Sequence, residues 1–321
     1  MKILSKLFLL LFVFLSLSIF FVILSFFTSV IWWAELFSHF VLQYFIGSIL
    51  FVLYGLCTKK NLILFVSICY TLYLLAVIKP LLTPNIVSTS SETEKISILF
   101  SNTHFESASM SEIASLIADK NPDIVILAET KSVQYLELVG LIPEYNGEHF
   151  IGGPDPWAHD ISYFAKDDFG AMAAQTVKFD SETLSLILTS QRYPNLQILG
   201  MHPYPPIKKR TYEKQNIAFA GAALFAQNSE NLILVGDLNT TNFSSEFYQL
   251  VAGGDLTDAR VGRGVLGSWP ESYPSIFRIP IDQVLWKGAW QACEISLTSS
   301  IGSDHVPIFV ELCHTAQDSI K

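Results

Sequence analysis

In VGDLNTTN (235–242) an apolar run, NLILV, stops at Gly236, and Asp237 and Asn239 follow on either side of Leu238. Side chains two apart on an extended chain point to the same face, so a carboxylate and an amide address one spot. A turn would use Gly, Asp and Asn for backbone reasons alone. The pattern recurs, however. Asn102 ends KISILFSN, Glu129 ends DIVILAE and His202 ends LQILGMH; Asp282 opens an apolar run in IDQVLW, and Asp304 and His305 precede the last one. Glu129 and Asp304, helped by Asn102, could bind a hard divalent cation through oxygen, as Mg²⁺ (or Mn²⁺) prefers. Such an ion polarises a phosphoryl oxygen and stabilises a leaving group. His202 and His305 offer proton transfer near neutral pH. Asp282 could hold His305 in one tautomer. Asp237 could orient water, and Asn239 could donate to a phosphate without adding negative charge. This is a set suited to phosphoester hydrolysis.

These residues need strand ends to stand on, and the sequence supplies them. From Lys95 onward, apolar strands alternate with amphipathic helices: strands at 95–102, 123–129, 160–166, 182–190, 196–202 and 231–237, then three closing strands, IDQVLW, QACEISL and HVPIFVEL. Helical spacing appears at 110–120, capped by Ser109 or Ser111, at 211–228, and at 244–254 with Ser244 as cap. In α/β folds strand ends are where sites are assembled. About 220 residues suffice for one buried core.

Residues 1 to 80 are a different solvent class. They carry six charges, Lys2, Lys6, Glu35, Lys59, Lys60 and Lys79, among long apolar runs at 7–31, 40–57 and 61–79. Each run is near the ~20 residues that cross a bilayer. The expectation is a three-helix membrane anchor (1–82), a polar linker (83–94), a catalytic domain (95–315) and a short tail (316–321). Lys2, Lys6, Lys59 and Lys60 bias their loops to the cytoplasm and so leave the domain outside; Lys79 opposes this weakly. Trp32 and Trp33 suit an interfacial aromatic belt or simple packing. From Lys95 to the end, 15 Lys and Arg face 26 Asp and Glu. That excess of acid argues against broad nucleic-acid affinity. Cys57 and Cys69 lie in the apolar runs. Cys293 and Cys313 fall on consecutive strands and could pair across them in an oxidising exterior.

SNTHFES, PDIVILAET, GMHPYPP, LVGDLNTT, IDQVL and GSDHVPIFVEL together resemble the motifs of the endonuclease/exonuclease/phosphatase (DNase I-like) superfamily, over about residues 95–313. The resemblance implies an α/β (α+β) four-layered sandwich, two central mixed sheets flanked by helices, and Mg²⁺-dependent hydrolysis. Position by position it implies metal binding at Glu129 with Asn102 and Asp304, and phosphate contact or acid catalysis by His202. It implies water and phosphate positioning by Asp237 and Asn239, and a His305–Asp282 pair. Asp237 and His305 both remain open as the group that activates water.

The chain departs from the abasic-site nucleases of that superfamily at His104, where an acidic residue is common. With no evident DNA-gripping insertion, a nuclease is the alternative reading, and a non-catalytic binding domain is a third. Three spans with an outer domain, and GSWPESYP (267–274), look like a membrane-bound bacterial branch linked to glycopeptide resistance and prenyl-linked phosphates. The implied setting is a bacterial inner or plasma membrane, with the domain periplasmic or extracellular and a phosphorylated, lipid-linked substrate. GRGVLG (262–267) has no strand before it and reads as a loop. His149 and His159 read as surface residues of a polar loop. Lys208, Lys209 and Arg210 could meet an anionic ligand or cap a solvated helix. CxxC, HExxH, GxSxG and P-loop motifs are absent, so zinc, serine-hydrolase and nucleotide readings lack support.

Overall fold

Alternate residues of each central strand enter different cores, and this builds the layers. In a computed structural model, which describes residues 31–84, 94–105, 107–152 and 159–315 together with helical positions 13, 16–20, 22 and 23, β1 (Lys95–Asn102) and β2 (Ile124–Ala128) run parallel. Ile96, Ile98, Phe100, Ile124 and Ile126 face inward, while Leu99, Val125 and Leu127 face outward onto α3 (Met110–Lys120) and α4 (Ser132–Leu141). β3 (Tyr145–Phe150), β4 (Ile161–Lys166), β11 (Trp290–Leu297) and β12 (Ile308–His314) complete a six-stranded sheet ordered β11-β12-β1-β2-β4-β3.

The second sheet repeats the device. β5 (Met172–Val177), β6 (Ser185–Ser190), β7 (Leu196–Met201), β8 (Asn231–Asp237), β10 (Asp282–Lys287) and β9 (Thr257–Asp258) lie in that spatial order. Ile233 and Val235 join the inter-sheet core, whereas Leu232 and Leu234 meet α5 (Lys209–Gln227) and α6 (Ser245–Gly254). β1–β2 and β7–β8 are parallel and the other pairs antiparallel, so both sheets are mixed. The expected sandwich of two mixed sheets flanked by helices is therefore present.

Ser109 caps α3 and Ser244 caps α6 through side chains that accept from Glu112 N and Phe247 N. Cys293 sits where β11 shifts register between Ala292 and Glu294, and it is disulfide-bonded to Cys313 of β12. The pairing left open by sequence is thus formed. α4, β3, β5 and β9 were not anticipated. β3 and β5 are edge strands, and each mixes exposed and half-buried positions instead of presenting an apolar run.

Among the described residues, the N-terminal part offers two candidates for the three expected spans. Two helical segments, Trp32–Thr58 and Asn61–Leu82, are long and apolar enough to cross a membrane by length and composition. The first expected span, 7–31, lies outside the described residues except at the few positions above, as does most of the 83–94 linker. Trp32–Phe40 forms a 3-10 stretch ahead of α1 (Val41–Thr58), which packs antiparallel on α2 (Asn61–Leu82). Gly55 meets the Leu64 backbone, and Ser48 accepts from Thr71 at 2.9 Å.

The domain docks on one end of this hairpin. Gln43 donates to the Ile276 carbonyl at 3.0 Å. At the exit of α2, Gly262 N and Gly264 N donate to the carbonyls of Pro80 and Leu81. GRGVLG is the loop expected, and its glycines at positive φ supply those contacts.

Gly236 is required by close approach. A Cβ there would lie 1.9 Å from the Met201 carbonyl oxygen on β7. Gly236→Ala is therefore expected to cost at least about 1–3 kcal/mol as β7 and β8 are forced apart. An unchanged denaturation midpoint for the full chain in detergent would contradict this close packing.

Candidate active site

β8 and β10 pair so that Asp237 lies directly opposite Asp282. The loop after Ile301 brings His305 between them. His305 Nδ1 is 2.9 Å from Asp282 Oδ2, and Nε2 is 3.6 Å from Asp237 Oδ2. β1 ends beside β2, and Asn102 Nδ2 donates both to Glu129 Oε1 at 2.9 Å and to Asp237 Oδ2 at 3.0 Å. That single amide links the two sheets. His202, at the end of β7, holds Nε2 3.3 Å from Glu129 Oε1 and 3.7 Å from Asp237 Oδ2. Asn239 donates its backbone N–H to Asp237 Oδ1 at 2.9 Å and its side-chain amide to the Pro203 carbonyl at 3.1 Å. Asp304 Oδ1 lies 3.9 Å from His305 Nε2. All eight strand-end residues converge on one cleft. Asn102, His202, Asp237, Asp282 and His305 are buried, while Glu129, Asn239 and Asp304 are partly open.

Glu129 and Asn239 adopt positive φ, 55° and 51°. Left-handed backbone at a non-glycine residue stores strain, and here it turns both side chains off their strand ends. Asp237 lies among like charges away from water. Burial pushes its carboxyl up to about 7; His305 and its hydrogen bonds oppose this, and Asp282 adds to it. Burial alone would lower the His305 imidazole, but Asp282 and Asp237 outweigh it and hold it at about 10. His202 is driven down to about 3 by burial and then by the neighbouring His305 charge. Burial also raises Glu129.

Two acidic clusters offer themselves to a cation, and they differ in their open atoms. Asp237, Asp282 and His305 lie within 4.8 Å of one another, but His305 already bonds Asp282 and the Asp237 oxygens accept from Asn102 and Asn239. Glu129 Oε2 and Asp304 Oδ1, in contrast, are buried atoms without a hydrogen-bond partner. Oxygen donors left open in this way fit a hard divalent ion, so the Glu129–Asp304 side suits it better. The Asn102 amide nitrogen is committed to Glu129 and Asp237, and its oxygen accepts from His104 N at 2.9 Å. Asn102 therefore orients the acids, whatever else it touches.

His159, Trp269 and His104 also border the cleft, whereas His149 is tied to neighbouring strand and helix residues. His159 is buried, with Nδ1 3.2 Å from His202 Nδ1 and its ring edge-on to Tyr204. The surface reading of His159 is corrected; its segment is polar by composition, which hid the burial. His149 is half-buried against Tyr135, with Nδ1 2.9 Å from the Ser162 hydroxyl. Trp269 Nε1 donates to Asp304 Oδ2 at 2.9 Å, and His104 Nδ1 lies 3.4 Å from Asp304 Oδ1. GSWPESYP had signalled Trp269 only by resemblance. Arg210 pairs with Glu182 and Lys209 approaches Glu213, so that basic run is engaged on the helix entrance.

The profile of the Endonuclease/Exonuclease/phosphatase family matches residues 99–305. No curated protein matches the sequence. Among solved structures, D. rerio TDP2 humanized by 14 mutations aligns with TM-score 0.55 and 15% identity, over 68% of this chain and 98% of that one. An endonuclease/exonuclease/phosphatase from Beutenbergia cavernae gives 0.55 and 16%, over 69% and 72%. The Bacteroides thetaiotaomicron mannosyl-6-phosphatase gives 0.52 and 16%, over 68% and 99%. At these identities the likeness is one of fold.

The buried histidines set opposite pH limits. His159 and His202 sit near 3 in the fold against 6.5 when free, so the unfolded chain binds more protons between those values. Their effect is stability lost as pH falls below 6.5. His305, raised to about 10, contributes stability that is complete below 6.5 and lost as pH climbs through 10. Melting of the chelator-treated full chain should peak near pH 6.5, where both contributions are complete, and His159→Asn should flatten the acid side. An acid limb unmoved by that substitution would rule out His159 as a source.

Proposed function

The chain belongs to the endonuclease/exonuclease/phosphatase family, and we propose that it is a membrane-anchored, divalent-cation-dependent phosphoester hydrolase acting at a bilayer surface. Eight polar residues at strand ends meeting in one cleft, two of them with a carboxylate oxygen that lacks a hydrogen bond, carry this reading. Glu129 and Asp304 would hold Mg²⁺ or Mn²⁺, and the ion would supply charge neutralisation on the phosphoryl oxygens. Asp237 is assigned as the base, because it stands in the cleft between Asn102, His202 and His305 and burial raises its carboxyl toward neutral pH, where proton transfer is best matched. His305, kept cationic by two carboxylates, is a donor to the phosphoryl group and a poor base. Water attacks phosphorus, its proton goes to Asp237, and the bond to the leaving oxygen breaks. Asn239 supplies a neutral hydrogen bond to the phosphate, and His202 supports Glu129 and Asp237.

The hairpin supports the anchor. Small or hydroxyl residues, Gly47, Ser48, Gly55 and Ser67, are buried in or near its helix–helix contact, while Leu50, Leu53, Leu56, Leu62, Phe65 and Leu72 face outward. Tyr44, Phe51, Tyr70, Leu74 and Ile78 are buried there as well; small residues at the points of close approach, with apolar side chains turned outward, are the pattern of helices packed in lipid. Lys59 and Lys60 occupy the turn, at the end away from the domain, which agrees with a cytoplasmic turn and an external domain. At the domain end, buried Glu35 accepts from Thr240, which follows Asn239 at once, so the cleft stands beside the anchor. A phosphate or pyrophosphate on a lipid is the substrate class this favours. A nuclease is the second reading, supported by likeness to D. rerio TDP2 complexed with single strand DNA product, and opposed by the acidic domain.

Phosphate release by the full chain in lipid discs with Mg²⁺, tested on a prenyl pyrophosphate and on single- and double-stranded DNA, separates these readings. Asp237→Asn and His305→Ala should each lower turnover by about 10²–10⁴-fold. Glu129→Gln should raise the Mg²⁺ concentration needed for half-maximal rate. Turnover insensitive to all three would reject the assignment, and DNA cleavage alone would favour the nuclease.

A further inference from the structure

The loop between Trp269 and Arg278 joins the cleft to the hairpin. At one end Trp269 Nε1 and Glu271 N donate to the Asp304 carboxylate and carbonyl, at 2.9 and 2.8 Å. At the other, Gln43, in the first turn of α1, donates to the carbonyls of Ile276 and Arg278 at 3.0 and 3.3 Å. Between these ties the chain runs Ser-Tyr-Pro-Ser-Ile-Phe, six exposed residues without a charge. Tyr273, Ile276 and Phe277 expose 55%, 49% and 53% of their surface.

The loop is stiff. Phe277 N bonds the Pro274 carbonyl, and the Arg278 guanidinium donates to the carbonyls of Tyr273 and Glu271. Its exposed apolar side chains are therefore held outward and cannot fold back over themselves. A built, uncharged apolar surface of this kind marks a contact with something apolar. Its position selects the occupant. It is pinned to the end of the hairpin where α1 begins and α2 ends, the same end at which Gly262 and Gly264 meet Pro80 and Leu81. Trp33 and Phe40, also exposed, belong to the segment leading into α1. Aromatic side chains at the mouth of an apolar helix suit the interfacial zone of a bilayer.

We propose that Tyr273, Ile276 and Phe277 form an interfacial wedge that enters the leaflet around the hairpin. Resting on the lipid-phosphate reading above, the wedge would set the height of the cleft: Asp304 is hydrogen-bonded to Trp269, seven residues before Ile276, so a phosphate at headgroup level comes to the acidic site without leaving the membrane. The occupant is lipid, not a second copy of the chain.

The test uses the full chain in discs of phosphatidylethanolamine and phosphatidylglycerol. Spin labels are attached to Ile276→Cys and Phe277→Cys on a Cys57→Ser, Cys69→Ser background. Leu224→Cys, exposed near the C-terminal end of α5, is the control. The ratio of oxygen to nickel-chelate collision should be about tenfold higher at 276 and 277 than at 224, because oxygen concentrates in hydrocarbon and the chelate is excluded. Equal ratios at all three positions would overturn the proposal, and so would protection of 276 and 277 from both reagents, which indicates a protein cover. Ile276→Asp with Phe277→Asp should depress hydrolysis of a prenyl pyrophosphate in the discs about tenfold, since an apolar insertion is replaced by charge, and leave a water-soluble short-chain analogue unchanged. Immersed labels on a chain that hydrolyses neither substrate would uphold the wedge and reject the hydrolase reading, so the two fail separately.

Discussion

Pairing of β8 with β10, in the register that sets Asp237 across from Asp282, is the contact on which the site depends. Two buried carboxylates facing each other repel at low effective dielectric, and neither is tolerable ionised without a cation between them. His305 is that cation: its ring bridges both acids. A slip of one residue in the register would turn one of the carboxylates to the opposite face and leave an unpaired buried charge. The fold must therefore fix this pairing from behind. Arg260, fully buried, donates to the Asp282 carbonyl, to Gln283 Oε1 at 2.5 Å and to the Val265 carbonyl at 3.1 Å. Gln283 in turn donates to the Thr240 carbonyl at 3.0 Å. The ends of both strands are tied into one polar lattice in which each donor has a defined acceptor.

That lattice extends to the helical hairpin. Arg260 begins the loop whose Gly262 and Gly264 amides meet the last carbonyls of α2. Thr240 and Thr241, after Asn239, meet Glu35 and His39 of the 3-10 stretch before α1. The cleft thus has one strut to the exit of α2 and another to the entrance of α1. Side-chain and backbone hydrogen bonds fix the domain on the hairpin, whereas a polar linker alone would leave its direction open.

The candidate site was legible because much of it obeys a rule that sequence displays: an apolar run followed by a charged or amide residue marks a strand end. Asn102, Glu129, His202 and Asp237 were readable in this way, whereas Asp282 and Asp304 were read from the apolar runs that follow them; their convergence follows from parallel or adjacent strands ending together. His159 was not readable. It precedes β4 within a polar segment, and its burial comes from His202 and Tyr204, more than forty residues away. Trp269 and Arg260 escaped for a related reason: each acts through long-range hydrogen bonds, and no local periodicity reports such bonds. The edge strands β3 and β5 were missed because half their side chains face solvent, which removes the apolar signal. Glu35 falls between two of the expected spans, and only the docked domain explains its burial.

The charge balance of the cleft also bears on its ligand. Glu129, Asp237, Asp282 and Asp304 outnumber the one imidazolium, and the domain around them is acidic. An anionic phosphate approaching such a site is repelled unless positive charge is added or carboxylates are protonated. Asp237, pushed up by its burial, goes part of the way toward protonation. Glu129 and Asp304, each with an oxygen that lacks a hydrogen bond, are where added positive charge has the least desolvation to overcome. Under the proposed function the cation is thus an electrostatic requirement for substrate entry before it is a participant in bond cleavage. Tethering then addresses what remains. An acidic domain gains nothing from long-range attraction to anions; under the same proposal, holding the cleft at a surface where a lipid-borne phosphate is already concentrated would replace the steering that its own charge opposes.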